Sequence, residues 1–277
     1  MASSNSFKSG QSAVRPCKLP YAASDSPFLA EHKLMNSDSP LFLYYKSRLA
    51  RSPIFRGLSD DVLADMLECF RPVTWNKGVA TDPASLVDRF HLIINGRVKM
   101  EYVDATSGNW VTLFVLGPGD GFDIVSLLDG KPHEASPVAL EDVQLLSAPT
   151  EKVREWISRH PDFNRNFLPY LGERMRKMED LVADLGLKDT ITRLAHLILR
   201  HTVEKPSADE DAHPVKLIHD LTNESLAHMI GSTRQAVNRH LQELRKKGIL
   251  DSHPGHLVVR ELEALKKQAD AYLSHRS

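Results

Sequence analysis

The chain has 277 residues, with 35 Lys and Arg against 36 Asp and Glu and a formal net charge of −1; this leaves room for two domains with separate cores and excludes a uniformly basic coat for nucleic acid. No apolar run approaches the roughly 20 residues a membrane helix needs and no signal-peptide pattern opens the chain, so a cytoplasmic protein without a membrane partner is expected. Cys17 and Cys69, the only cysteines, are too far apart for a C-x-x-C pair and read as free thiols, which excludes a disulfide framework and a cysteine-held metal cluster.

Residues 1–38 are rich in Ser and Ala and punctuated by Pro16, Pro20 and Pro27, the texture of a mobile tail. Their first acid is Asp25, a composition that an organelle transit peptide shares. Residues 39–160 read as a β-rich domain with flanking helices. Ser59 can cap a helix whose first turn holds Asp60 and Asp61, and Leu63, Met66, Leu67 and Phe70 recur at helical spacing. Short apolar runs follow at 90–94, 98–102, 111–115 and 143–146. Turn residues separate them at Asn95-Gly96, 107–109, Gly117-Pro-Gly-Asp120 and Asp129-Gly130, a spacing that predicts a barrel or sandwich.

Helical periodicity returns at Thr150. Leu168, Leu171, Met175, Met178, Val182 and Leu185 alternate between three and four residues apart, the seam of a coiled coil, so 161–187 is expected to be a helix that pairs with a second copy. Glu173, Arg174, Arg176, Lys177 and Glu179 make the rest of that helix too polar to be buried all round.

Residues 188–277 read as a third unit. After the acidic run Asp209-Glu-Asp211, one helix runs from its cap Thr222 to Ile230, Gly231 supplies a tight turn, and a second helix covers about Thr233–Lys247 with Val237, Leu241 and Leu244 on its inner face. His253-Pro-Gly-His256 then reverses the chain between Ile249-Leu250 and Leu257-Val-Val259, as a wing does, and an amphipathic helix covers about Leu262–Tyr272.

With that inner face fixed, Arg234, Gln235, Asn238 and Arg239 occupy the outward face of the second helix's first turns, the part that enters a major groove. Arg reads guanine O6/N7 in bidentate fashion, and Gln and Asn suit adenine N6/N7. Ser232 and Thr233 at the helix start can donate to a phosphate that also feels the helix dipole. Between Gly231 and Gly248, Arg234, Arg239, Arg245, Lys246 and Lys247 stand against the lone acid Glu243. A local basic footprint therefore survives in a balanced protein, and double-stranded DNA is the expected partner.

The stretch Leu221-Thr-Asn-Glu-Ser-Leu-Ala-His-Met-Ile-Gly-Ser-Thr-Arg-Gln-Ala-Val-Asn-Arg239 resembles the helix-turn-helix of the CRP/FNR transcription regulators. The resemblance runs from about Ser52 to the end and includes Ser52-Pro-Ile-Phe-Arg-Gly-Leu-Ser59 and Ile94-Asn-Gly-Arg-Val-Lys99. It implies an α+β fold with an N-terminal β-roll, jelly-roll-like, as sensor, a long dimerisation helix and a C-terminal winged helix-turn-helix. It further implies a homodimer on a pseudo-palindromic operator, RNA polymerase as a partner, and an effector in the β-roll that reorients the reading domains about a hinge near Gly186–Asp189. The family often has Glu where this chain has Gln235; Glu accepts from cytosine N4 whereas Gln suits adenine, so a half-site departing from the common TGTGA is expected.

In the cyclic-nucleotide-binding members, a Gly, a Glu for the ribose and an Arg for the cyclic phosphate follow a Gly-Asp turn. Here Asp123 replaces the Gly, Ile124 the Glu and His133 the Arg. A histidine near its ordinary pKa supplies only a weak charge, Asp123 adds repulsion, and Lys131 substitutes only in part. Cyclic AMP or GMP is therefore not the expected effector, and Asp123, Ile124, Val125, His133, Ala135 and Ser136 stand as candidates for a different effector pocket. An iron–sulfur sensor lacks its cysteines; a haem sensor, gas- or redox-responsive, has His91, His133, Met100 and Cys17 as nominal ligands, none of them in a signature. No nucleophile–base pair, metal-ligand spacing or phosphate-cradling glycine loop points to an enzyme. An interaction module whose helix-turn-helix no longer reads sequence is the alternative from another class.

Overall fold

The computed structural model describes residues 39–81, 88–104, 106, 109–203, 212–253 and 256–270. The expected tail, Cys17, the acidic run 209–211 and positions 271–272 of the last helix lie outside them.

The chain opens with two helices, α1 (Pro40–Arg51) and α2 (Asp60–Cys69). The Ser39 hydroxyl accepts from the Phe42 amide and the Ser59 hydroxyl from Val62, the second being the cap expected from sequence. Helix α1 escaped the sequence reading because Leu41, Leu43 and Tyr44 are exposed while Phe42, Tyr45 and Leu49 are buried. Apolar residues on every face blur the period by which a helix is recognised.

Among the described residues of this half, seven strands form two antiparallel sheets. Strands β1 (Arg71–Trp75), β7 (Val143–Pro149), β2 (Arg89–Asn95) and β5 (Gly121–Phe122) lie side by side in that order, and β4 (Trp110–Leu116), β3 (Val98–Val103) and β6 (Ser136–Ala139) make the second sheet. The β2–β3 turn needs glycine: Gly96 has φ +84°, and a Cβ there would sit 2.7 Å from the Asp142 carbonyl oxygen. Alternation along β2 explains its unbroken burial. Phe90, Leu92 and Ile94 pack with Leu63, Met66, Leu67 and Trp156 beneath the helices. On the other face His91 stacks on Phe122 at 4.7 Å and lies 5.8 Å from Trp75.

Helix α3 (Ile124–Asp129) follows β5, and α4 (Thr150–Arg159) leads through a short 3-10 turn into the 24-residue α5 (Asn164–Leu187). Phe167 and Tyr170 anchor α5 on the sensor core. Leu168, Met175 and Val182, seven residues apart, are 61, 65 and 66 % exposed, an apolar stripe with the expected seam spacing. Two seam positions have neighbours within the chain. Leu171 also packs against the sensor core, and a side chain on Gly231 would meet Leu185 Cδ2 at 2.8 Å. Leu185 thus lies against the turn at Gly231 in the last domain.

After the two-residue break Lys188-Asp189 comes α6 (Thr190–His201), capped by Asp189 and not singled out from sequence. Helices α7 (Asn223–Met229) and α8 (Arg234–Lys246) follow, then α9 (Leu262–Asp270). Strands β8 (His213–Pro214), β10 (His256–Val259) and β9 (Leu250–His253) form a separate sheet in that order. Leu194, Ile198, Leu226, Val237, Leu244, Val259 and Leu265 belong to a second core, distinct from the first. Val115 of β4 reaches into that second core, so sensor and reader share apolar contact.

Candidate nucleic-acid interface

Helices α7 and α8 are each defined by a threonine cap: the Thr222 hydroxyl accepts from the Ser225 amide at 3.1 Å and the Thr233 hydroxyl from Ala236 at 3.2 Å. Between them Gly231 adopts φ +57°, a left-handed turn for which glycine carries no steric cost. Val237, Leu241 and Leu244 are buried, while Thr233, Arg234, Gln235, Asn238 and Arg239 are exposed and Ser232 is half-buried. The structure therefore places the sequence-derived reading residues on one outward surface at the start of α8. Arg234 and Arg239 make no ion pair among the described residues, which leaves both guanidinium forks open to an acceptor.

One contact modifies the expected chemistry. The Asn223 side-chain amide donates to Asn238 Oδ1, the acceptor that an adenine N6 would use. Asn238 keeps its own N–H groups for a donor role, and reading adenine in bidentate fashion requires Asn223 to release it. Sequence reasoning missed Asn223 because the two residues sit on different helices.

The reader is tied to the rest of the chain by arginines that spacing alone does not reveal. Arg193 donates to the carbonyls of Leu185 at 2.8 Å, Lys188 at 2.9 Å and Ile230 at 3.2 Å, linking the break between α5 and α6 to the turn between α7 and α8. Buried Asp184 accepts from Arg200 and lies 2.7 Å from His196 Nδ1. Asp120, at the end of the Gly117–Asp120 turn, pairs with Arg174 and lies 3.3 Å from the Tyr170 hydroxyl.

Arg97, just after the β2–β3 turn, reaches across to the reader. It holds Glu141 through Nε at 2.9 Å and Nη2 at 3.0 Å, Asp220 through Nη1 at 2.5 Å and Nη2 at 2.8 Å, and the Leu217 carbonyl at 2.9 Å. The hydrogen bond from Arg97 holds the Asp220 carboxyl below the usual range. Beside this clamp a Cβ on Gly117 would meet Leu217 Cδ2 at 2.6 Å, and at the other end of β4 the Trp110 and His228 rings lie 4.2 Å apart.

In the sensor, Asp123 takes φ +61°, a left-handed conformation that Asp tolerates better than most residues. Its buried carboxylate turns inward, 3.4 Å from His91 Nδ1. Ile124 packs on the helical core, Ala135 is buried, Ser136 and His133 are half-buried, and Val125 is 49 % exposed. Of these six positions Asp123 faces the interior and Val125 the solvent. Of the nominal haem ligands, His91 is enclosed by Phe122 and Trp75, and Met100 is buried. A haem iron would have to displace one of those rings to reach His91.

His201, at the end of α6, is pushed down to about 4, first by burial and then by Lys177 and Arg200. Its folded value lies below the unfolded one of about 6.5. The unfolded chain therefore binds the extra proton between those values, and stability falls as pH drops from about 6.5 to 4, by up to roughly 1.4 kcal/mol per pH unit inside the window. Burial lowers His196 and His240 as well, so thermal unfolding followed from pH 7 to 5 is expected to be steeper in the native chain than in His201→Gln; equal slopes would refute the assignment.

Comparison with known proteins gives two matches to family models: residues 83–160 to the cyclic nucleotide-binding domain and 192–268 to the Crp-like helix-turn-helix domain. The chain is 27% identical over 225 residues to the CRP-like cAMP-activated global transcriptional regulator of Mycobacterium tuberculosis, covering 80% of this chain and 98% of that one. It is 30% identical over 190 residues to the global nitrogen regulator of Synechococcus elongatus, covering 67% and 83%. Among solved structures, a CooA mutant from Carboxydothermus hydrogenoformans superposes with a TM-score of 0.62 at 23% identity, covering 77% of this chain and 92% of that one, a likeness of fold.

Proposed function

Because this chain belongs to the CRP/FNR family of transcription regulators, we propose that it works as a homodimer which reads a pseudo-palindromic operator with one α8 per half-site. The carrying observation is the surface of exposed Arg234, Gln235, Asn238 and Arg239 on the first turns of α8. The exposed stripe Leu168, Met175 and Val182 on α5 supports the dimer, since an apolar row at heptad spacing is covered by an identical helix in a parallel coiled coil. Two-fold pairing sets the recognition helices about one DNA turn, roughly 34 Å, apart. RNA polymerase is the expected partner on the promoter, and cytoplasmic location follows from that role.

The effector in the β-roll is not cyclic AMP or GMP on this reading. Ile124 offers no acceptor for a ribose, His133 no permanent charge for a cyclic phosphate, and the Asp123 carboxylate adds repulsion. The cyclic AMP in the name of the mycobacterial relative belongs to that protein.

Two experiments test the proposal. Met175→Glu combined with Val182→Glu is expected to turn a dimer into monomers in sedimentation and to abolish cooperative operator binding; a persistent dimer would refute the seam. Selection of binding sites from random duplexes is expected to return inverted half-sites differing from TGTGA at the base pair facing Gln235. Unaltered TGTGA half-sites would remove the Gln235 argument. Binding without sequence preference, with only a weak salt slope, would leave an interaction module instead.

A further inference from the structure

We propose that the cavity between sensor, α5 and reader is a binding site for a small organic anion with an apolar body, and that its occupant fixes the reader's orientation. The regulatory half of this statement rests on the DNA-reading role above; the site itself does not. The cavity has a volume of about 560 Å³, within the range of small-molecule sites. None of positions 123–136 lines it, so it is separate from the effector pocket expected in the β-roll.

Its charge argues for an anion. Arg174, Lys177, Arg193, Arg200 and Lys216 line it against Asp120, Glu173 and Asp184. Each acid is already taken: Asp120 by Arg174, Glu173 by Lys177 at 2.6 Å, and Asp184 by Arg200 and His196. Arg193 spends its donors on neutral carbonyls, and Lys216 makes no ion pair among the described residues. Two positive charges are thus left without a counter-charge in a partly desolvated space, where an anion is attracted more strongly than in water. His201 reports the same field, since the charges of Lys177 and Arg200 add to burial in keeping its ring neutral. Phe114, Leu181, Leu197, Met229 and Ile230 supply the apolar part of the wall.

The position of the cavity argues for regulation. Its walls come from the sensor turn at Gly117, from α5, from α6 and from the reader's own turn at Met229-Ile230. A ligand touching all four has different contacts whenever the reader moves, which is the condition for shifting a conformational equilibrium. Dimerisation leaves the cavity free: Arg174, Lys177, Leu181 and Asp184 repeat at helical spacing on a face of α5 other than that of Leu168, Met175 and Val182.

The test uses the full chain and the fluorescent sulfonate 8-anilinonaphthalene-1-sulfonate, with the uncharged N-phenyl-1-naphthylamine as its control. Lys177 and Lys216 are both exposed at the rim, so Lys177→Gln/Lys216→Gln leaves both cores untouched. The expected result is saturable binding of one sulfonate per protomer, weakened at least tenfold in the double variant and unchanged in Lys152→Gln on α4. Bound sulfonate should also raise the His201 titration seen by NMR and slow amide exchange at 229–232. Equal affinity for the uncharged control, unchanged binding in the double variant, equal loss in Lys152→Gln, or no saturable binding would each overturn the site. Sulfonate bound as expected without slowed exchange at 229–232 would overturn the regulatory half. None of these measurements involves DNA, so failure of the reading role shows separately, as absence of sequence-specific duplex binding.

Discussion

Arg234→Ala is expected to weaken operator binding by about 1–3 kcal/mol and to relax the preference at one base pair. Thr233 caps α8, Val237, Leu241 and Leu244 bury its inner face, and Arg234 is left exposed on the first turn. A guanidinium fork held there by a rigid helix loses little freedom on meeting guanine O6/N7, and no competing carboxylate among the described residues must first be displaced. A loss of this kind is base-specific. Replacing exposed Lys246, at the far end of α8, should instead weaken all duplexes alike and reduce the salt slope by about one. The two are separated by titrating selected and scrambled duplexes at several salt concentrations. Equal loss on both duplexes for Arg234→Ala would assign that residue to the phosphates.

What could be read in the sequence follows the range of the interaction that encodes it. The caps Ser59 and Thr222, the glycine at 231 and the inner face of α8 are local signals within a few residues, and all appear in the fold. Strands β2, β3, β4 and β7 were visible because turn residues bracket them, whereas β5 and β6, of two and four residues, are too short to show a period. Helix α6 was passed over although Leu194, Ala195, Leu197 and Ile198 are buried, because the long repeat before it and the acidic run after it drew the boundaries. The contacts that join the domains were not legible. Arg97 and Asp220 are 123 positions apart and Asp120 and Arg174 are 54 apart, and nothing local distinguishes such charges from a solvated face. The contact of Asp123 with His91 was equally hidden, because the two are 32 positions apart and only the pairing of β2 with β5 brings them together.

Arg97→Ala is expected to lower stability by about 1–2 kcal/mol and to loosen the reader from the sensor. Arg97 is only 11 % exposed at its side chain, and its loss leaves Glu141 and Asp220, 42 and 36 % exposed, facing each other without a cation. Breaking a fully buried pair costs about 3–5 kcal/mol, but water reaches both acids here and screens a large share, hence the smaller figure. The Leu217 carbonyl also loses its donor, at a residue whose φ of +63° already disfavours a side chain. Asp220→Asn should cost less, because Arg97 keeps Glu141. The pH dependence identifies the partner. Asp220 has a folded pKa below its unfolded one, so its contribution is present above the ordinary value of about 3.9 and is lost as pH falls through the lowered folded value. Native and Asp220→Asn proteins should therefore differ in thermal stability at neutral pH and converge in acid. Amide exchange at 217–230 should quicken in both Arg97→Ala and Asp220→Asn while that of α2 and α4 stays native. Uniform quickening across both domains would mean that Arg97 supports the fold generally and does not act as a latch between sensor and reader.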